Sequence, residues 1–170
     1  GAITDSYATG PVTGTNISVG GLVGSITSGN IKNSYASGDV VGALNHTGGL
    51  VGNNYVSNIE NSYATGKVVG ANNTGGLVGN NYDSNIENSY ASGDVSGSDS
   101  VGGLAGRKDL GTFSNTYATG KVTGTSALGG LVGSGSTGIT NSYYTDTTGQ
   151  VGAGTATTIQ NLAAALPTGF

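Results

Sequence analysis

Few residues in this chain can do chemistry, and their spacing limits what they can do. His46 is the only histidine and there is no cysteine among the 170 residues. Ser-His-Asp and Cys-His catalysis, and zinc held by His and Cys, therefore lack their parts. His46 falls in a variable stretch, residues 43–47, where exposed polar side chains are expected. The carboxylates come next. Glu60 and Glu87 stand 27 residues apart, and Asp39 and Asp94 flank Lys67. Two carboxyls about 5 Å apart are the geometry of a retaining glycosidase, and such a pair also holds a weak cation. Neither pair comes with an aromatic sugar platform or a long loop to build a cleft, so both read as solvated charges. Calcium-binding Gly-Gly-x-Gly-x-Asp nonapeptides do not recur, and no metal or cofactor is expected. Tyr55 and Tyr82 each follow the run GGLVGNN. As exposed aromatics they are the candidates for ligand contact. Arg107-Lys108-Asp109 interrupts the pattern after GGLAG and reads as a solvated turn. Asn16, Asn45 and Asn72 head Asn-x-Ser/Thr triplets, which a chain this rich in Asn, Ser and Thr produces by chance.

What must position these residues is a repeat. Tyr7, Tyr35, Tyr63, Tyr90, Tyr117 and Tyr143 recur at spacings of 28, 28, 27, 27 and 26. Four residues before each stand Ile3, Ile31, Ile59, Ile86, Phe113 and Ile139; two before stand Asp5, Asn33, Asn61, Asn88, Asn115 and Asn141. Five after the first five stand Val12, Val40, Val68, Val95 and Val122, and Gly-Gly precedes each of Leu22, Leu50, Leu77, Leu104 and Leu131. Helical repeats need runs of helix formers, which this glycine and β-branched content opposes. Leucine-rich repeats need several Leu per unit, and here there is one. The spacing predicts an all-β parallel β-solenoid, or β-helix. It has five full coils and a partial sixth of about 27 residues, with three short strands per coil and Gly supplying the corner angles. Coils about 4.8 Å apart make a rod roughly 25–30 Å long.

Stacking converts each repeat position into a ladder. Ile, Ala, Val and Leu columns fill the interior. The Asn column bonds backbone or its own neighbours near a corner, as amide ladders do in stacked strands. The Tyr rings stack one strand spacing apart. Alternation places Tyr inside, but also the Ala after it, so a bend or bulge is required there; the pattern leaves Tyr open between core and wall, and the Val after Leu likewise. Asp39, Lys67, Asp94 and Lys121 alternate in sign up one column, which favours in-register stacking through cross-strand charge pairs. Thr4, Lys32, Glu60, Glu87, Ser114 and Thr140 follow the same logic except at Glu60 beside Glu87. Thr9, Ser37, Thr65, Ser92, Thr119 and Thr145 form a hydroxyl column, of the kind ice-binding solenoids use, but with charge beside it.

The composition agrees with a thin, long core: 34 Gly, no Met or Trp, and 8 % charged residues. A net charge of −4 without a Lys/Arg cluster argues against a nucleic-acid partner, and none is expected. No apolar run is long enough to span a membrane, and no signal peptide is recognisable. The solenoid is expected over residues 1–154. In 155–170, Ile159, Leu162, Ala163 and Leu166 fall on one helical face before Pro167. That segment is expected to form a short helix capping the last coil, whose open edge would otherwise pair with other chains.

The copies IKNSYASGDVVG and IENSYATGKVVG, with GGLVG, resemble the GLUG-motif repeats of large bacterial surface proteins. The repeats are most like those of filamentous-haemagglutinin-type adhesins, and TTIQNLAAALPTGF resembles the segment that follows the repeats there. Similar repeats accompany immunoglobulin A-cleaving metallopeptidases, outside their catalytic part, and the His-Glu-x-x-His of that activity is missing here. The resemblance implies secretion, exposure on a bacterial cell surface and attachment to a host or surface glycan or a protein receptor. The expectation is a non-enzymatic stalk or display segment continuing into further domains of a larger chain. The alternatives are a carbohydrate-active β-helix enzyme and spacer repeats of a larger secreted peptidase.

Overall fold

The computed structural model describes residues 1–145 and the backbone of 155–157. The described chain is a parallel β-solenoid of about five turns, without a helix. Each coil contributes not three strands but five, one to each of five parallel sheets running the length of the rod.

The first sheet stacks Ala2–Thr4, Asn30–Lys32, Asn58–Glu60, Ile86–Glu87, Phe113–Ser114 and Ile139–Thr140. The second stacks Tyr7–Ala8, Tyr35–Ala36, Tyr63–Ala64, Tyr90–Ala91, Tyr117–Ala118 and Tyr143–Thr145, and Thr155–Thr157 pairs beyond the last of these. The third carries Val12, Val40, Val68, Val95 and Val122. The fourth runs from Val19–Gly20 to Ser126–Gly129, and the fifth from Val23–Thr27 to Val132–Ser134. Ile3 pairs with Ile31 and Ile59 with Ile86, Tyr with Tyr and Val with Val, so residues one repeat apart lie over one another. The helix expected over 159–166 lies outside the described residues.

The extra strands come from corners that the motif hides. Asp5, Asn33, Asn61, Asn88, Asn115 and Asn141 all take left-handed backbone, with φ between 45° and 52°. Asn tolerates that region better than most side chains. The run Ile-x-Asn-Ser-Tyr is therefore two strands in two sheets. Strict alternation stops at the Asn: Ser and Ala turn in, and Tyr turns out to the wall. The bend required between Tyr and Ala thus lies two residues before Tyr. A second left-handed corner is formed by Ser18, His46, Asn73, Ser100 and Ala127, and a third by Ser28, Val56 and Asp83.

Glycine does a different job from the one expected. Among the described glycines only Gly111, Gly135 and Gly138 have positive φ. Many of the others sit where neighbouring coils approach too closely for a side chain. A Cβ on Gly66 would strike the Gly38 carbonyl oxygen, and one on Gly93 that of Gly66. The second glycine of each Gly-Gly pair faces the Ala column: a Cβ on Gly49 would come within 2.8 Å of the Ala64 Cβ. In the last coil Tyr144 takes the Ala place and covers Gly130 with its ring, which leaves Tyr144 buried.

The core is two narrow strips. One holds the Ile, Ala and Leu columns with Val51, Val78, Ala105 and Val132; the other holds Val68, Val95, Val101 and Val122. Leu and the Val after it both point inward, because the Leu50 and Val51 amides donate to one carbonyl, that of Leu77, at a tight corner. Such full burial makes a Leu or Ile truncation cost about 2–5 kcal/mol.

Candidate functional site

The described surface offers two organised faces. On the second sheet the Tyr rings form one stack: Tyr7 to Tyr35 at 5.3 Å, Tyr35 to Tyr63 and Tyr63 to Tyr90 at 4.9 Å, Tyr90 to Tyr117 at 4.7 Å between centroids. Tyr143 follows Tyr117 in register. The faces of Tyr35, Tyr63 and Tyr90 are spent on their neighbours, so there solvent meets ring edges and hydroxyls, and a sugar cannot lie flat on them. Burial, with Tyr90 beside it, pushes the Tyr117 phenol up to about 12; burial and Tyr63 raise Tyr90 as well. At the adjoining corner Asn33 donates to Asp5 at 3.1 Å, Asn61 to Asn33 at 3.2 Å, Asn115 to Asn88 at 3.0 Å and Asn141 to Asn115 at 3.4 Å.

The Asp39, Lys67, Asp94, Lys121 column is stacked in register but is not joined by ion pairs. The Asp39 carboxylate accepts the Lys67 backbone N–H at 2.8 Å, and Asp94 accepts that of Lys121 at 2.9 Å. A short Asp side chain reaches the amide above it, while the long ammonium gains more by staying hydrated. Among the described residues the ion pairs are Lys32 with Glu60 at 3.1 Å and Arg107 with Asp109 at 3.0 Å. Glu60 and Glu87 are rung neighbours in the first sheet, with Lys32 against Glu60. No cluster of three or more His, Cys, Asp or Glu occurs among the described residues.

The second face is the outside of the fifth sheet. Its strands Val51–Tyr55 and Val78–Tyr82 alternate, so Asn53 and Tyr55 face out while Asn54 points in, and Asn80, Tyr82 and Asn81 follow suit. Tyr55 and Tyr82 stack at 5.0 Å with 7° between ring planes and stay exposed. Beside them Asn80 donates to Asn53 at 2.9 Å, and across the second corner Asn72 donates to Asn45 at 3.0 Å. In the fourth coil the columns change. Asp99 lies over Asn72, Arg107 over Asn80 and Lys108 over Asn81. Asp109 follows Tyr82, its amide bonded to the Asn81 carbonyl. Arg107 donates through Nε and Nη2 to Asp109 Oδ1 at 3.1 and 3.0 Å. Asn45, Asn72, Asn73, Asp99, Arg107 and Ser134 help to line an open polar depression of about 400 Å³ here. His46, at the corner with φ 62°, is half-buried; that burial and then Arg107 hold its imidazole below the usual range.

Arg107-Lys108-Asp109 is thus no solvated turn. Arg107 and Lys108 end the strand Ala105–Lys108, and Lys108 is only 2 % exposed. Its Nζ donates to the carbonyls of Gly111 at 2.8 Å and Thr137 at 2.7 Å and lies 5.2 Å from the Phe113 ring centroid. Burial lowers its pKa, partly offset by Asp109. Sequence reasoning also missed the Ser before each Tyr. Ser34 donates to the Lys32 carbonyl at 2.8 Å and accepts the Ser6 amide at 3.1 Å, and Ser62 repeats this. The signal was available in Ser6, Ser34, Ser62, Ser89 and Ser142, with Thr116 as the one substitute.

Three consecutive segments, residues 15–41, 43–69 and 70–96, match the GLUG motif, each one solenoid coil long. The chain carries GLUG repeats. No curated protein matches the chain. The fourth-coil residues that line the depression lie beyond the three matched GLUG segments, where the side-chain chemistry departs from the repeat. Among the described residues of this GLUG solenoid no helix is long and apolar enough to cross a membrane.

Proposed function

We propose that this GLUG solenoid is a non-enzymatic segment of a secreted adhesin on a bacterial cell surface, serving as a rigid stalk and display surface for attachment. The observation that carries the reading is the unbroken register from coil to coil. Backbone amides of each coil bond carbonyls of the next at close to 3 Å, and polar side chains repeat the pairing on the outside. A rod built this way holds its length and leaves few loose segments for proteases. Along the Tyr and Asn columns it presents the same outward chemistry rung after rung, which suits contact with a repetitive surface.

The test is display of residues 1–170, fused to an inert anchor, on a non-adherent bacterium, with attachment counted on glycan-coated and protein-coated surfaces. Attachment above that of the anchor alone supports the reading. Release of new reducing ends from a polysaccharide by the purified chain would instead establish the carbohydrate-active alternative. A fusion that neither adheres nor cleaves would leave the spacer role.

A further inference from the structure

We propose that the outer face of the fifth sheet is a groove for a neutral oligosaccharide lying along the rod axis, ending in the depression at Arg107 and Asp99. This deepens the display reading and rests on it. The repeat itself gives the first reason. Stacking is served by like over like, yet in the fourth coil adjoining columns change chemistry together: Asn to Asp99, Asn to Arg107, and Tyr to Asp109. These changes surround one open depression rather than scattering over the rod.

The chemistry of the groove suits a polyol. Arg107 spends Nε and one Nη2 proton on Asp109, leaving guanidinium donors to face outward on an exposed residue. Asp99 takes the Ser100 hydroxyl at 3.3 Å on Oδ2, leaving Oδ1 as an acceptor. A donor fork and a carboxylate side by side bracket neighbouring hydroxyls of one sugar ring. Along the axis, Asn53 and Asn80 offer amide donors and acceptors at rungs about 4.8 Å apart. Tyr55 and Tyr82 stand stacked and exposed along the same face, with the smaller Thr27 paired to Tyr55 in the coil below. Lys108 turns its Nζ inward, so the outward charges are those of Arg107 against Asp99 and Asp109; this slight negative balance repels an acidic polysaccharide, and the groove suits an uncharged ligand.

The experiment is an amide-detected NMR titration of the whole chain. The probes are neutral hexasaccharides of glucose, N-acetylglucosamine, mannose and galactose, with a hexamer of galacturonate as the acidic control. At least one neutral hexamer is expected to shift the signals of Asn53, Asn80, Asp99 and Arg107. Arg107→Gln and the double variant Tyr55→Ala/Tyr82→Ala are each expected to weaken that binding on the order of tenfold, with the folded amide spectrum kept. The proposal is overturned if no neutral hexamer moves these signals, if the shifts fall on the Tyr7 to Tyr117 face, or if galacturonate binds as well. Cells that attach through a rod whose groove stays silent would keep the display reading and remove the groove. A groove that binds on a rod that does not attach would do the reverse.

Discussion

Asn54 donates its side-chain Nδ2 to Asn81 Oδ1 at 2.8 Å inside the rod, where neither residue is exposed. The same Nδ2 also donates to the Ser57 carbonyl at 3.1 Å, and Asn81 donates to that of Ser84 at 2.8 Å. Below Asn54 the column holds Ile26, which has nothing to donate, so Asn54 Oδ1 has no partner. The amide pair ties a corner together from within. Asn81→Ala strips the Ser84 carbonyl of its side-chain donor and Asn54 of an acceptor. It is expected to cost about 1–3 kcal/mol, read as a lower midpoint in urea unfolding.

Thr47 is the opposite case. Its Oγ1 is buried with no partner, while in the same column Val19 stands one rung below it and Val101 two rungs above. Thr47→Val removes a desolvated hydroxyl at nearly constant shape. We expect a gain of about 1 kcal/mol and a higher Tm by circular dichroism. An unchanged or lower Tm would contradict the assignment.

Val56 holds φ at 49° and is exposed. Left-handed backbone on a β-branched residue costs on the order of 1–3 kcal/mol, and no packing at this site repays it. Val56→Asn, which places at this corner the residue that fills the Asn33 corner, is expected to stabilise the fold by about 1 kcal/mol. Chemical denaturation of the two proteins side by side decides it.

The Tyr stack sets an alkaline limit. Tyr117 is neutral in the fold up to about 12, above the ordinary phenol value of 10.0, because burial disfavours the phenolate. A raised folded pKa gives stability that is whole below pH 10 and is lost as pH climbs toward 12. Tyr117→Phe is expected to flatten that loss. A spectrophotometric titration should show Tyr117 as a late-ionising phenol, absent in the variant.

Much of this architecture was legible in the chain itself. The register could be read from Tyr7 to Tyr143 because stacked coils reward identical residues, and the hydrogen-bonded Asn column at a corner followed from the same rule. The five-sheet cross-section could not be read. Two of its three left-handed corners are filled by Ser, His, Asn, Val, Asp and Ala, which share a backbone angle but no side-chain type. Glycine misled for a related reason: its lack of a Cβ serves close coil approach here, and sequence does not distinguish that from a turn. The outward Tyr followed once the Asn angle was known. The buried Lys108 had no signal beyond its break with Asn54 and Asn81, because its partners are main-chain carbonyls three residues and one coil away.

The Asp39 column has one more implication. Asp39 reaches up to the amide of Lys67, and Asp94 to that of Lys121, but a lysine has no carboxylate to pass on. The smallest block that can be duplicated without breaking this alternation is therefore two coils, the 55 residues from Asp39 to Gly93. Copying a single coil would set aspartate over aspartate or lysine over lysine at the new junction. A lineage that lengthens such a rod should do so in even steps.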